Sequence, residues 1–151
     1  MIVIEKKERR LTLYDRTGKG LFCCRAALGK MPEGHKQCEG DGKTPEGRYF
    51  VCLKREQGKF GQGLGISYPS LTDAKNAASE GRLDPSLLPL FEKAENEQKR
   101  PPWGTPLGGE IYIHGGGSAS DWTAGCIALD DSDMEKLFAL TQYGEAVLIT
   151  P

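Results

Sequence analysis

The chain has 151 residues and carries 20 Lys and Arg against 21 Asp and Glu, for a formal net charge of -1. That length suits one domain with a core large enough to need no metal or disulfide staple, and the near-neutral balance lacks the basic footprint of a nucleic-acid binder. No apolar run approaches the roughly 20 residues of a bilayer span, so no transmembrane segment is expected, and the apolar stretch in MIVIEKKERR is too short for a secretory leader.

In chain order, Ile2-Val3-Ile4 and Leu11-Thr12-Leu13-Tyr14 flank the charged KKERR segment and predict a hairpin with a solvated tip. Leu21 to Leu28 is a third strand candidate. A long polar loop from Gly29 to Gly47 follows, in which Asp41-Gly42 and Thr44-Pro45-Glu46-Gly47 supply turn geometry; Lys43 and Glu46 are read there as turn residues. Tyr49 to Leu53 resumes a strand, and Leu64 to Tyr68 forms another that ends at Pro69.

The middle of the chain turns helical over about 70–98. Ser70 and Asp73 match a capping box opening a helix that runs to about Glu80 and stops at Gly81. Asp84 and Pro85 begin a second, with Leu87, Leu88, Phe91 and Ala94 at helical spacing and Pro89 as its weak point. This helical pair interrupts a β protein, either as a wall over a site or as plain packing. Near the C-terminus, Ser132 and Glu135 match another capping box, for a helix over 132–141 whose Met134, Leu137, Phe138 and Thr141 face the core. Ala146 to Ile149 closes the chain as a strand expected to be buried on both sides.

The five cysteines, Cys23, Cys24, Cys38, Cys52 and Cys126, show no zinc spacing. A metal site would require His35 and Cys38 to be joined by Cys23 or Cys24 and by Cys52, so none is expected. The four other than Cys126 read as small buried hydrophobes, or in an oxidising compartment as a source of one disulfide between Cys23 or Cys24 and Cys38 or Cys52.

The stretch IYIHGGGSASDWTAGCIAL, Ile111 to Leu129, carries the chemistry. His114 follows an alternating apolar run, and Cys126 precedes a second one, so both are expected at strand ends. Gly115 to Gly117 can bring amides close to a substrate. A thiol becomes a nucleophile as thiolate, and a neighbouring imidazole can take its proton, which makes Cys126 and His114 a candidate dyad. The second imidazole nitrogen needs an acceptor; the Gly115 carbonyl is preferred over Asp121. Amides around Thr123, Ala124, Gly125 and Cys126 are expected to form an oxyanion hole, with Gly125 allowing the sharp turn before the nucleophile. Trp122 and Tyr68 are candidate walls for a substrate, or else core aromatics.

His114-Gly115 followed by Thr123-Ala124-Gly125-Cys126-Ile127 resembles the signature of the YkuD family, the L,D-transpeptidase catalytic domain. GDGKTPEGRYF, GISYP and TPLGGEIYIHG resemble further family blocks in the same order, so the likeness covers nearly the whole chain. The resemblance implies a mainly β fold of packed mixed β-sheets with a few helices. It also implies a role in cell-wall biogenesis and cell shape, with Cys126 attacking an L,D peptide bond in a peptidoglycan stem peptide and His114 as base. An amine on another stem would resolve the acyl-enzyme; water would instead give a carboxypeptidase or endopeptidase. The family implies no metal or organic cofactor, acylation by carbapenems, and work in the cell envelope. Ala124 stands where the family often has a second His, Ala128 where it often has an Arg, and the His-to-Cys loop is shorter than the common form. Outside that reading, the sequence also suits a non-catalytic stem-peptide binding module or a cytoplasmic cysteine hydrolase on the same scaffold.

Overall fold

The first two strands, β1 (Ile2–Glu5) and β2 (Arg10–Tyr14), form the expected antiparallel hairpin and continue antiparallel into β3 (Gly20–Arg25). A computed structural model describes all residues, 1–151. The hairpin's charged turn is not solvated throughout. Lys6 is 2 % exposed, and its ammonium donates to the Gly34 carbonyl at 2.7 Å, the Thr44 carbonyl at 2.9 Å and Glu46 at 3.1 Å. Arg9 reaches Asp121 at 2.8 Å. These turn cations therefore tie down two loops that border the site, because a buried ammonium is costly unless it is paired and hydrogen-bonded.

Strand β4 (Gly47–Gly58) is the longest and belongs to both halves of the sheet. Its first residues pair with β8 (Ala146–Thr150), and from Val51 onward it pairs with β5 (Gly61–Ile66). With β6 (Tyr112–His114) and β7 (Ile127–Ala128), the spatial order is β3-β2-β1-β8-β4-β5-β6-β7. The β1–β8 and β6–β7 pairs are parallel and the others antiparallel, so the sheet is mixed. It curls until the segment after β3 meets β7 through an Ala27–Ala128 bridge, forming a half-barrel. Inside lies a single core drawn from both halves, including Ile4, Leu11, Val51, Leu64, Ile113, Ile127 and Ile149. The chain leaves β3 at Arg25, three residues short of the expected strand end, because Ala26 to Leu28 turn away to make that bridge.

Helix α1 (Leu71–Ser79) has the expected reciprocal cap between Ser70 and Asp73. The second helix is divided: Asp84 caps a 3-10 turn, Pro85–Leu87, and α2 (Leu88–Asn96) begins beyond it, with Pro89 in its first turn, where a missing N–H costs nothing. The two helices share a small separate core of Ala74, Ala77, Leu83, Phe91 and Leu107.

Helix α3 (Asp131–Leu140) packs on β5 and β6, with Met134, Leu137 and Phe138 buried as expected. Its cap is Asp130 rather than Ser132, and the Asp130 carboxylate serves Ser118 instead of the helix end. β8 is buried on one face only. Val147 and Ile149 enter the core, whereas Ala146 is exposed and Leu148 half-buried, because nothing covers the outer side of the sheet there. Cys23 and Cys38 are exposed rather than packed inside, Cys52 is buried, and all five thiols are free. No helix is long and apolar enough to cross a membrane.

Replacing Lys6 with Met would leave two carbonyls and Glu46 without their shared donor. We expect a loss of about 3 kcal/mol of stability, the scale for breaking one side of a buried ion pair, read as a lower urea midpoint. An unchanged midpoint would show that water replaces the ammonium at no cost.

Candidate active site

Strand alternation determines which side chains share the cleft. Ile113 and Ile127 are register partners on β6 and β7, both fully buried in the core. Tyr112 and His114 therefore emerge on the opposite face, together with Cys126 just ahead of β7. On β5, the residues paired with His114 and Tyr112 are Gly63 and Gly65. A Cβ on Gly63 would come within 3.4 Å of the Tyr112 ring and one on Gly65 within 3.3 Å, so the missing side chains leave room for that ring.

The Tyr112 amide donates to the Cys126 sulfur at 3.4 Å, and the thiol itself faces the Glu110 carbonyl at 3.6 Å. Glu110 holds φ at +54°, a left-handed conformation that a residue with a side chain seldom adopts, and this turns its carbonyl toward the sulfur. Burial pushes the Cys126 thiol up from its ordinary value; the Tyr112 amide and the Lys36 charge oppose that rise.

His114 Nδ1 lies 2.6 Å from the Gly115 carbonyl oxygen. A carbonyl only accepts, so Nδ1 carries the hydrogen and Nε2 keeps its lone pair. The ring stacks under Phe60 at 4.5 Å between centroids and meets the edge of Trp122 at 5.7 Å. Burial holds its pKa below 6.5, and the bond to Gly115 only partly offsets the shift. Both groups are thus biased to their neutral forms, a thiol and an imidazole at adjacent strand ends.

Other expected residues fall in different places. The Gly116 amide is taken by Asp131 at 2.9 Å, the Thr123 amide by the Leu28 carbonyl at 3.3 Å and the Gly125 amide by the Thr123 hydroxyl at 3.1 Å. The amides of Ala124 and Cys126 make no hydrogen bond within the protein. The Thr123 hydroxyl also donates to the Cys126 carbonyl at 2.7 Å and so clamps the turn. Trp122 lines a shallow cavity of about 400 Å³ with Phe60, Gly116 and Gly117. Tyr68 is not a wall. It is 1 % exposed, and its hydroxyl donates to the Leu107 carbonyl. Asp121 is committed to Arg9 and the Leu28 amide, away from His114. Both His35 nitrogens are engaged, by the Glu46 amide and by Asp73. A cavity of about 770 Å³ between Met1, Leu21, Leu140 and Tyr143 contains neither Cys126 nor His114.

Sequence reasoning missed Phe60, Lys36, Glu110 and the two aspartates Asp130 and Asp131 that staple the glycine loop. Phe60 left one signal, an aromatic isolated among polar and glycine residues at a hairpin tip. The others depend on long-range contacts.

The model of the YkuD family, described as the L,D-transpeptidase catalytic domain, matches residues 1–149. The chain belongs to that family. Among solved structures, Pgp2 from Campylobacter jejuni, a helical cell shape determining protein, is 25 % identical with a TM-score of 0.66. Bd1075 from Bdellovibrio bacteriovorus is 24 % identical with a TM-score of 0.62. These alignments cover 98 % and 99 % of this chain but 46 % and 47 % of theirs, so it spans less than half of either protein. An L,D-transpeptidase from Mycobacterium tuberculosis shares the fold at 14 % identity and a TM-score of 0.58, over 99 % of this chain and 57 % of that one. A comparison with curated proteins returned no match.

Phe60 shields the imidazole, so Phe60→Ala should admit water and raise the His114 pKa toward 6.5. The expected sign is a titration midpoint at higher pH in NMR of the ring protons. An unmoved midpoint would mean that the strand and Trp122 alone exclude water.

Proposed function

We propose that the chain is a cysteine acyltransferase acting on peptidoglycan stem peptides, with Cys126 as nucleophile and His114 as base. The observation that carries this reading is the hydrogen bond from His114 Nδ1 to the Gly115 carbonyl. It leaves Nε2 as the proton acceptor on the same face as the Cys126 sulfur, and membership of the YkuD family supports stem peptides as the substrate class. In the first step the thiol proton passes to Nε2 as sulfur bonds to the carbonyl carbon of an L,D peptide bond. Electrons move onto the carbonyl oxygen, where the unpaired amides of Ala124 and Cys126 stabilise them. Collapse breaks the C–N bond, and the imidazolium gives its proton to the departing amine. A stem amine then attacks the thioester carbonyl, His114 takes its proton, and the sulfur leaves and recovers a hydrogen. Trp122, with Phe60, walls the peptide path.

Because Cys126 is held as a thiol and His114 as a neutral base, proton transfer accompanies attack rather than preceding it as a standing ion pair. The cell envelope is the proposed place of action, and similarity to a cell shape determining protein extends the proposal to wall remodelling that alters cell shape.

Incubation with a carbapenem is expected to add one drug mass, located on the Cys126 peptide and lost in Cys126→Ala. An unmodified mass with the thiol reduced would count against the nucleophile. Mass spectrometry of muropeptides after incubation separates the reactions: a new dimer marks transfer, loss of one D-Ala marks carboxypeptidase action, and a split dimer marks endopeptidase action. Binding with no product from either parent or Cys126→Ala would make the chain a stem-peptide binding module.

A further inference from the structure

Lys36 lies in the loop between β3 and β4, with its side chain 3 % exposed. Its ammonium donates to Asp41 at 2.9 Å and to the Cys38 carbonyl at 3.1 Å. The other enclosed lysine, Lys6, spends three donors on three acceptors; Lys36 has two acceptors for three. The carboxylate of Asp41 is itself shared with the amides of Gln37, Cys38 and Lys43, at 2.8, 3.1 and 3.1 Å, so the lysine charge is only partly offset. This cation stands against the nucleophile turn, since a Cβ built on Gly125 would lie 3.6 Å from its nitrogen.

The remaining groups around the sulfur do not supply positive charge. Glu110, from the segment before β6, brings a carboxylate as well as its carbonyl, and His114 is biased to its neutral form. Burial keeps the Tyr112 phenol protonated, with Arg55 of β4 held at its far end, 2.8 Å from the hydroxyl. We propose that Lys36 is a positioning residue whose buried ammonium stabilises negative charge on the Cys126 sulfur, from a loop about 90 residues earlier in the chain. In a site with little water, one cation beside the turn shifts the balance between thiol and thiolate more than it would in bulk solvent.

This deepens the reading of Cys126 as nucleophile and rests on it for its meaning in catalysis. The test reads thiol ionisation alone, so its failure is distinct from a failure to form a carbapenem adduct. The rate of iodoacetamide alkylation at Cys126 is followed against pH by peptide-resolved mass spectrometry, because Cys23 and Cys38 are also exposed. In Lys36→Met the midpoint should rise by about one pH unit, slowing alkylation about tenfold below it and leaving the high-pH plateau unchanged; Lys36→Arg should restore the parent profile. Asp41→Asn, which removes the counter-charge, should move the midpoint down. A Lys36→Met midpoint equal to that of the parent, in protein whose circular dichroism is intact, overturns the proposal. If Lys36→Met does not fold, an Asp41→Asn midpoint that stays or rises overturns it equally.

Discussion

A Cβ on Gly29 would sit 2.1 Å from the Gly42 carbonyl oxygen and 3.1 Å from the Gly125 Cα, and one on Gly125 would sit 2.8 Å from the Lys43 carbonyl oxygen. Three backbones therefore cross at distances that admit no side chain, and Gly125 also takes a φ of +139°. This crossing presses the turn before Cys126 onto the 29–47 loop. The loop in turn is anchored from outside the crossing: Lys6 holds its Gly34 and Thr44 carbonyls, Asp41 gathers its amides, and Asp73 holds His35 from α1. Cys126 is placed by a loop that most of the protein helps to fix.

The histidine side of the cleft is built differently. A short strand carries His114, a glycine run supplies the carbonyl that fixes its tautomer, and Asp131 at the start of α3 ties that run down through the Gly116 amide. Aromatic rings then exclude water from the imidazole. One group is thus positioned by loop packing and the other by strand, helix and stacked rings, and they meet where β6 and β7 run parallel. Burial acts on both and favours their uncharged forms. Charge on either group therefore depends on what the cleft brings against it.

The departures from the family pattern have structural settings. Ala128 is fully buried at the bridge with Ala27, where the half-barrel comes nearest to closing, and an arginine would have to displace that contact. Ala124, by contrast, is exposed, so a larger polar group there would meet solvent rather than core.

Alternation and spacing were enough to read the hairpin, the capped helix α1, the stripe on α3 and the placing of His114 and Cys126 at strand ends, because each depends on neighbours within a few residues. The preference for the Gly115 carbonyl over Asp121 came from the same local logic. Local reasoning went astray where a side chain's partner lies far away in sequence. Lys6 reads as solvated until Gly34, Thr44 and Glu46 fold around it, Tyr68 reads equally as a wall or a core aromatic until Leu107 takes its hydroxyl into the core, and Ser132 reads as a cap until Asp130 takes that position two residues earlier. The amides available to an oxyanion, the shield over His114 and the cation beside Gly125 are decided only by tertiary structure. Each is a question of which donors, rings and charges remain unpaired after the whole chain has packed, and no spacing within one segment records that.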